Sequence, residues 1–252
     1  MGVHPSRVRE VFRTAADGYQ PPTEQMKRVF ERAPSFVLFE RYLARKKKNT
    51  APGHSGLRID LVAGACERVR RMVWKLISIP YLTGYMYDCW ADEIVNWVYK
   101  EKGNMDTNRR RPLMYYEVLR KTCMGVKKGK VMAIWRKTGR VDEDNYAFMQ
   151  HLSTAEPIMI KKMIAEDARR YGKMLKIVDV DFSKAYDTTE KYAKDISLMF
   201  MGMSRRGRRM WQWYDSRRRM RVLTAYGYTG TCVIRCGAVS YTHLTLPTNR
   251  EV

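Results

Sequence analysis

The stretch from 174 to 190 restricts the possible folds more than any other part of the sequence. Met174-Leu175-Lys176-Ile177-Val178-Asp179-Val180 is short, β-branched and apolar, the pattern of a mostly buried strand. Asp181-Phe182-Ser183-Lys184-Ala185-Tyr186-Asp187 follows, and Thr188-Thr189-Glu190 offers a threonine to cap a helix. Strand, acidic turn and helix in that order require a mixed fold. A carboxylate at the end of a buried strand is rigidly held, which suits a hard, oxygen-seeking ion such as Mg²⁺. A lone D-x5-D also reads as a surface turn whose aspartates cap and solvate, so the neighbouring segments decide.

Charge names a class of partner. The 252 residues carry 48 Lys+Arg against 26 Asp+Glu, a formal net charge of +22. That excess favours a polyanion, above all a nucleic-acid backbone, and by itself names no reaction. Hydrophobic content of 45% excludes wholesale disorder. Cys66, Cys89, Cys123, Cys232 and Cys236 are odd in number and lack disulfide-framework or zinc spacing, as expected of idle thiols in a reducing compartment. No apolar run reaches spanning length and no signal-peptide core opens the chain. The expectation is an intracellular protein, nuclear or cytoplasmic, with no membrane partner.

Taken in order, Val8, Val11 and Phe12 have helical spacing, and a second helix is predicted from Thr23, interrupted at Pro34 before Phe36. Arg45-Lys46-Lys47-Lys48 is a basic run beside the turn Ala51-Pro52-Gly53-His54-Ser55-Gly56. A long amphipathic helix is predicted over 59–79, burying Leu61, Val62, Ala65, Val69, Met72, Val73 and Leu76. Ile94 to Tyr99 reads as a strand, 103–111 as a loop ending Arg109-Arg110-Arg111, and 115–137 as a helix entered through Pro112. Helices are predicted over 155–171, with Ile158, Met159, Met163 and Ile164 inward, and over 192–203. Residues 205–219 interleave arginines with Met210, Trp211, Trp213 and Tyr214, a composition suited to a nucleic-acid track. Strands over 219–226 and 231–236 should join 174–181 in one small sheet.

Several segments resemble reverse transcriptases, especially those of non-LTR (LINE-like) retrotransposons. Ile177 to Asp187 resembles their first catalytic block, and Thr50-Ala51-Pro52-Gly53-His54-Ser55-Gly56-Leu57 their A-P-G-x-x-G-L signature. Arg111-Pro112-Leu113 with Val118-Leu119-Arg120-Lys121 is similar to their R-P-[IL]…[VL]-L-x-K block. Asn145-Tyr146-Ala147-Phe148, then Ser153-Thr154, is a degraded Q-x-G-F-x-x-x-x-S-T, with Ala147 for glycine, Met149 for an arginine and His151 for a second glycine. The blocks come in the family's order and cover roughly residues 48 to 237.

The resemblance implies an α+β right-hand polymerase: a helical extension over 1–50, fingers over 51–173, and a partial palm with a small antiparallel sheet over 174–237. The implied enzyme is an RNA-directed DNA polymerase, a nucleotidyltransferase using two Mg²⁺ ions on an RNA template, a DNA primer and dNTPs. Asp181 would be catalytic and ligate metal, with the Phe182 carbonyl as a further ligand. Arg111, Lys121, Lys184, Ala185 and Tyr186 would hold the nucleotide, Tyr186 screening the sugar's 2′ position, while Asp187 would be structural. Arg109, Arg110, Arg205, Arg206 and Arg208 would contact nucleic acid. From Ala238 the likeness stops, so 238–252 is expected to be non-native, and the family's later Y/F-x-D-D block has no counterpart. The segment alone is therefore expected to be inactive. Two alternatives stand beside this reading: a non-catalytic basic RNA- or DNA-binding protein, and a group II intron-type reverse transcriptase or maturase.

Overall fold

Short polar caps set three of the described helix starts. Thr23 Oγ1 accepts from Met26 N at 3.2 Å and starts α1 (Glu24–Glu31); Ser35 Oγ accepts from Leu38 N at 3.3 Å and starts α2 (Phe36–Ala44). The computed structural model describes residues 19, 21–47, 49–99, 110–142, 144–147, 152–180 and 189–234, with 110 and 111 by backbone alone. Next come α3 (Ile59–Gly64), α4 (Glu67–Thr83), a 3₁₀ turn (Asp88–Ala91), β1 (Asp92–Tyr99) and β2 (Arg110–Tyr116). After these run α5 (Val118–Gly125), α6 (Lys128–Lys137), α7 (Ala155–Arg170), α8 (Lys191–Phe200) and α9 (Arg205–Arg217). The chain then forms β3 (Arg219–Thr224), β4 (Gly227–Tyr228) and β5 (Cys232–Val233). The fold combines helices with one small sheet, as an α+β reading expects, but the sheet is mixed rather than antiparallel, since β1 and β3 run parallel.

The sheet order is β2-β1-β3-β4, with β5 also on β3. β1 pairs antiparallel with β2, from Glu93 opposite Tyr116 to Tyr99 opposite Arg110, and parallel with β3, from Asp92 opposite Arg219 to Asn96 opposite Leu223. After β3 the chain turns at Ala225-Tyr226, so that Tyr228 faces Leu223 and, further on, Val233 faces Arg219. The expected strands over 219–226 and 231–236 thus appear in shortened form within the described residues.

Other expectations are corrected. Residues 110–116 form a strand, where a loop and a helix start were predicted. β2 is an edge strand of this sheet, a position that tolerates Pro112 because one side needs no N–H donor. The long helix over 59–79 is two helices, separated where Ala65 and Cys66 are extended. That break resets the helical phase, so no single stripe runs through both. Ile59, Val62, Ile77 and Tyr81 are buried, while Leu61, Val69, Met72 and Leu76 are exposed. The 115–137 helix is likewise broken, at Val126-Lys127. Ile158, Met159, Met163 and Ile164 on α7 face solvent rather than the core. Residues 174–180 are neither strand nor buried: Met174 is 87% and Val178 82% exposed. β-Branched composition favours a strand only where a partner edge accepts it, and β1 and β3 here pair with each other.

The main core draws on widely separated segments. Phe39, Ile59, Ile77, Trp90, Val118, Cys123, Met210 and Tyr214 belong to one buried cluster. A smaller cluster of Met26, Phe30, Ile134 and Met203 joins α1, α6 and the start of α9. α2 is therefore built into the same core as α9, and α1 packs beside α9 through the smaller cluster.

Candidate nucleic-acid interface

The A-P-G turn is fixed directly onto the junction between β2 and α5. Gly53 O accepts from Gly56 N at 3.1 Å, and Gly56 has φ 73°, a left-handed conformation that glycine adopts freely. Glu117, buried ahead of α5, receives Ser55 N at 2.7 Å on one carboxylate oxygen and Ser55 Oγ at 2.6 Å on the other. Gly53 lies so close to this junction that a Cβ there would come within 2.6 Å of Glu117 N and 2.7 Å of Tyr116 C. Two blocks separated by about sixty residues of sequence, A-P-G and R-P-L…L-x-K, therefore meet.

Their junction borders an opening of about 270 Å³ lined by Tyr42, Lys46, Ala51, Leu113, Tyr115 and Lys121, among others. Tyr42 donates its hydroxyl to Lys121 O at 3.2 Å, and the Lys46 ammonium lies 4.2 Å from the Tyr42 ring centre. Burial pushes the pKa of both Lys46 and Lys121 down, with Lys128 adding to it at Lys46 and Arg120 at Lys121. Two ammonium groups thus line one partly desolvated opening, which favours an anion such as a phosphate. Lys121 and the basic run are separate features of the sequence, and their meeting depends on the packing of Tyr42 on α2 against α5, which no local pattern reveals.

The arginines of 205–219 divide between surface and interior. Ser204 Oγ caps α9 by accepting from Gly207 N at 3.2 Å, and Gly207, Met210, Tyr214 and Asp215 face inward. Arg205 and Arg206 are exposed in the first turn, where the helix dipole adds to their positive potential; Arg206 lies 4.0 Å from Glu31. Arg208 is half-buried and bonded to Asp195 at 2.9 Å, so its charge is already engaged. Trp213 packs under the Arg217 guanidinium at 4.5 Å.

Arg218, in the same run, is interior: only 1% exposed, it binds Glu93 from Nε at 2.9 Å and Nη2 at 3.1 Å. Tyr214 also donates its hydroxyl to Glu93, and Lys194 pairs with buried Asp215. The signal for this network was present in Glu93, an acid directly before the apolar pair Ile94-Val95 of β1, since a buried charge requires a partner.

Arg110 and Arg111 lie on β2, opposite Tyr99 and Val98 respectively. Arg109, Asp181, Phe182, Lys184, Ala185 and Tyr186 lie outside the described residues. Among the described residues no three His, Cys, Asp or Glu side chains are grouped to hold a metal. Nor is any helix among them long and apolar enough to cross a membrane. The chain matches no protein-family model and no curated protein.

Proposed function

We propose that this chain is fingers and part of the palm of an RNA-directed DNA polymerase of the non-LTR retroelement type. The observation that carries the reading is the contact between the A-P-G turn and the β2–α5 junction, around the opening shared by Lys46 and Lys121. Blocks that resemble one family in sequence are thereby brought together in space, with cations where a nucleotide or template phosphate would lie. In this reading the exposed arginines of α9 and those of β2 contact template and primer, and Asp181, with the Phe182 carbonyl, holds Mg²⁺. The 252 residues contain no Asp-Asp pair, so the remaining carboxylates would have to come from elsewhere.

One observation favours the second reading, a basic RNA- or DNA-binding protein without catalysis. Residues 174–180, which the polymerase reading places in a buried palm strand, are exposed and belong to no strand. Primer extension separates the two. In a polypeptide joining this segment to an Asp-Asp block, Mg²⁺-dependent extension on a primed RNA template is expected and should be abolished by Asp181→Asn, with template binding retained. Template binding without any extension supports the binding-protein reading, and extension unchanged by Asp181→Asn removes that residue from the site. Either way, affinity should fall steeply with salt through counterion release.

A further inference from the structure

The buried side of α5 presents a second cavity, separate from the Lys46–Lys121 opening except for Lys121 at its margin. It offers about 340 Å³ among α1, α4, α5, α6, α8 and α9 and is partly open to solvent. Phe30, Tyr81, Met124, Trp135, Met210 and Trp211 supply much of its wall. Apolar cavities of about 150 Å³ already accommodate a benzene ring, and small-molecule sites begin at about 300 Å³. The lining is aromatic and thioether-rich, suited to a flat apolar body.

One wall residue does not fit an empty apolar cavity. Arg120 is 3% exposed, and its guanidinium carbon lies 4.0 Å from the Tyr116 ring centre and 3.8 Å from that of Tyr214. Ring faces stabilise the charge but leave the N–H donors, and Arg120 Nε has no hydrogen-bond partner. The neighbouring buried carboxylates are bonded to other groups, Glu93 to Arg218 and Tyr214, Glu117 to Ser55, and Asp215 through Oδ2 to Lys194, and none makes a hydrogen bond to Arg120. Lys127, the other cation at this cavity, gives its ammonium to Val29 O and Arg32 O. Glu93 and Asp215 act on Arg120 through space but are bonded to other cations, and a buried guanidinium with an unbonded Nε and no carboxylate of its own is expensive unless an anion completes it.

We infer that this cavity is a binding site for a small carboxylate with an aromatic body, the carboxylate seated on Arg120 and the rings between Phe30, Trp135 and Trp211. A single guanidinium matches one carboxylate in geometry and charge. A phosphate dianion would need a second free buried donor group, and the Lys127 ammonium is occupied by carbonyls. This site is independent of the polymerase reading, because Arg120 is the unspecified position of the L-x-K block and points away from the opening beneath the A-P-G turn.

The test uses the full chain, 2-naphthoate, and 2-naphthalenemethanol as its neutral counterpart, followed by calorimetry and by tryptophan fluorescence. Naphthoate should bind about 10- to 100-fold tighter than the alcohol, the worth of a charge-assisted hydrogen bond. Arg120→Met should erase that preference while leaving the alcohol's affinity within about threefold, a pattern that general loosening of the core does not produce. Val131→Trp, at a half-buried wall position, should block both ligands, and it carries the test if Arg120→Met does not fold. Equal affinity for acid and alcohol, no binding of either, or naphthoate binding that survives Val131→Trp overturns the assignment. Displacement of naphthoate by inorganic phosphate at matched ionic strength also overturns it, in favour of a phosphate site.

Discussion

Gly53→Ala tests how firmly the A-P-G turn is tied to the β2–α5 junction. The added methyl would lie 2.6 Å from Glu117 N and 2.7 Å from both Glu117 Cα and Tyr116 C, all of them backbone atoms that no side-chain rotation can move aside. The chain has two responses. It can keep the turn in place and bear the overlap, which for an overpacked site costs about 1–3 kcal/mol or more. Alternatively, it can lift the turn and lose both Ser55–Glu117 hydrogen bonds, at about 1.5 kcal/mol or more each for bonds to a charged group. Either route gives a loss of about 3 kcal/mol, or about 6–12 °C in Tm for a chain of this size. Gly56→Ala is the matched control. Its φ of 73° makes alanine cost about 1–2 kcal/mol in backbone strain, but its Cβ would meet nothing within 4 Å. Urea unfolding of the two variants against wild type measures both losses. A Gly53→Ala loss no greater than that of Gly56→Ala would show that the close approach is absent in solution.

Other outcomes follow from the same geometry. Glu93→Gln should destabilise by about 3–5 kcal/mol, since it leaves the Arg218 guanidinium buried without its charge partner; adding Arg218→Met should recover part of that loss in the same urea titration. Burial pushes the Lys127 ammonium down to about 8 from its ordinary 10.5. The unfolded chain therefore holds this proton between about pH 8 and 10.5 while the folded chain does not, so stability should rise with pH relative to Lys127→Met in that window. A stability difference that is flat from pH 7.5 to 10.5 would show that Lys127 titrates normally. In an active polymerase carrying this segment, Tyr186→Ala should admit ribonucleotides more readily; unchanged dNTP-over-rNTP selectivity would leave Tyr186 without the 2′-screening role.

How far the sequence foretold this molecule depended on whether a signal was local. The helix start at Thr23 and the strand Ile94–Tyr99 follow from near-neighbour chemistry. β2 was missed because an arginine run before a proline reads as loop, and only the finished sheet makes Pro112 an edge residue. The burial stripe over 59–79 failed because a two-residue extended break resets helical phase, which periodicity alone does not reveal. For α7 and 174–180, composition indicated apolar faces correctly but not whether a partner surface covers them. Of the candidate site, Lys121 was legible by family resemblance. Its pairing with Lys46 and the interior role of Arg218 both depend on contacts far apart in sequence.

The position of α7 has a consequence for backbone amide exchange. Its start is secured locally, with the Glu156 carboxylate accepting from Ser153 N at 2.8 Å and Ser153 Oγ at 2.7 Å, but none of its sixteen residues is buried. A helix of that length without a packed face is only marginally stable in water. Its amides should open and exchange deuterium through local fraying, with protection set by the helix itself rather than by the domain. Destabilising the core, as Gly53→Ala does, should speed exchange along β1 and β3 while leaving α7 almost unchanged. Two regions of one chain would then report two different free energies: that of the packed core and sheet, and that of a helix held mainly by its own hydrogen bonds.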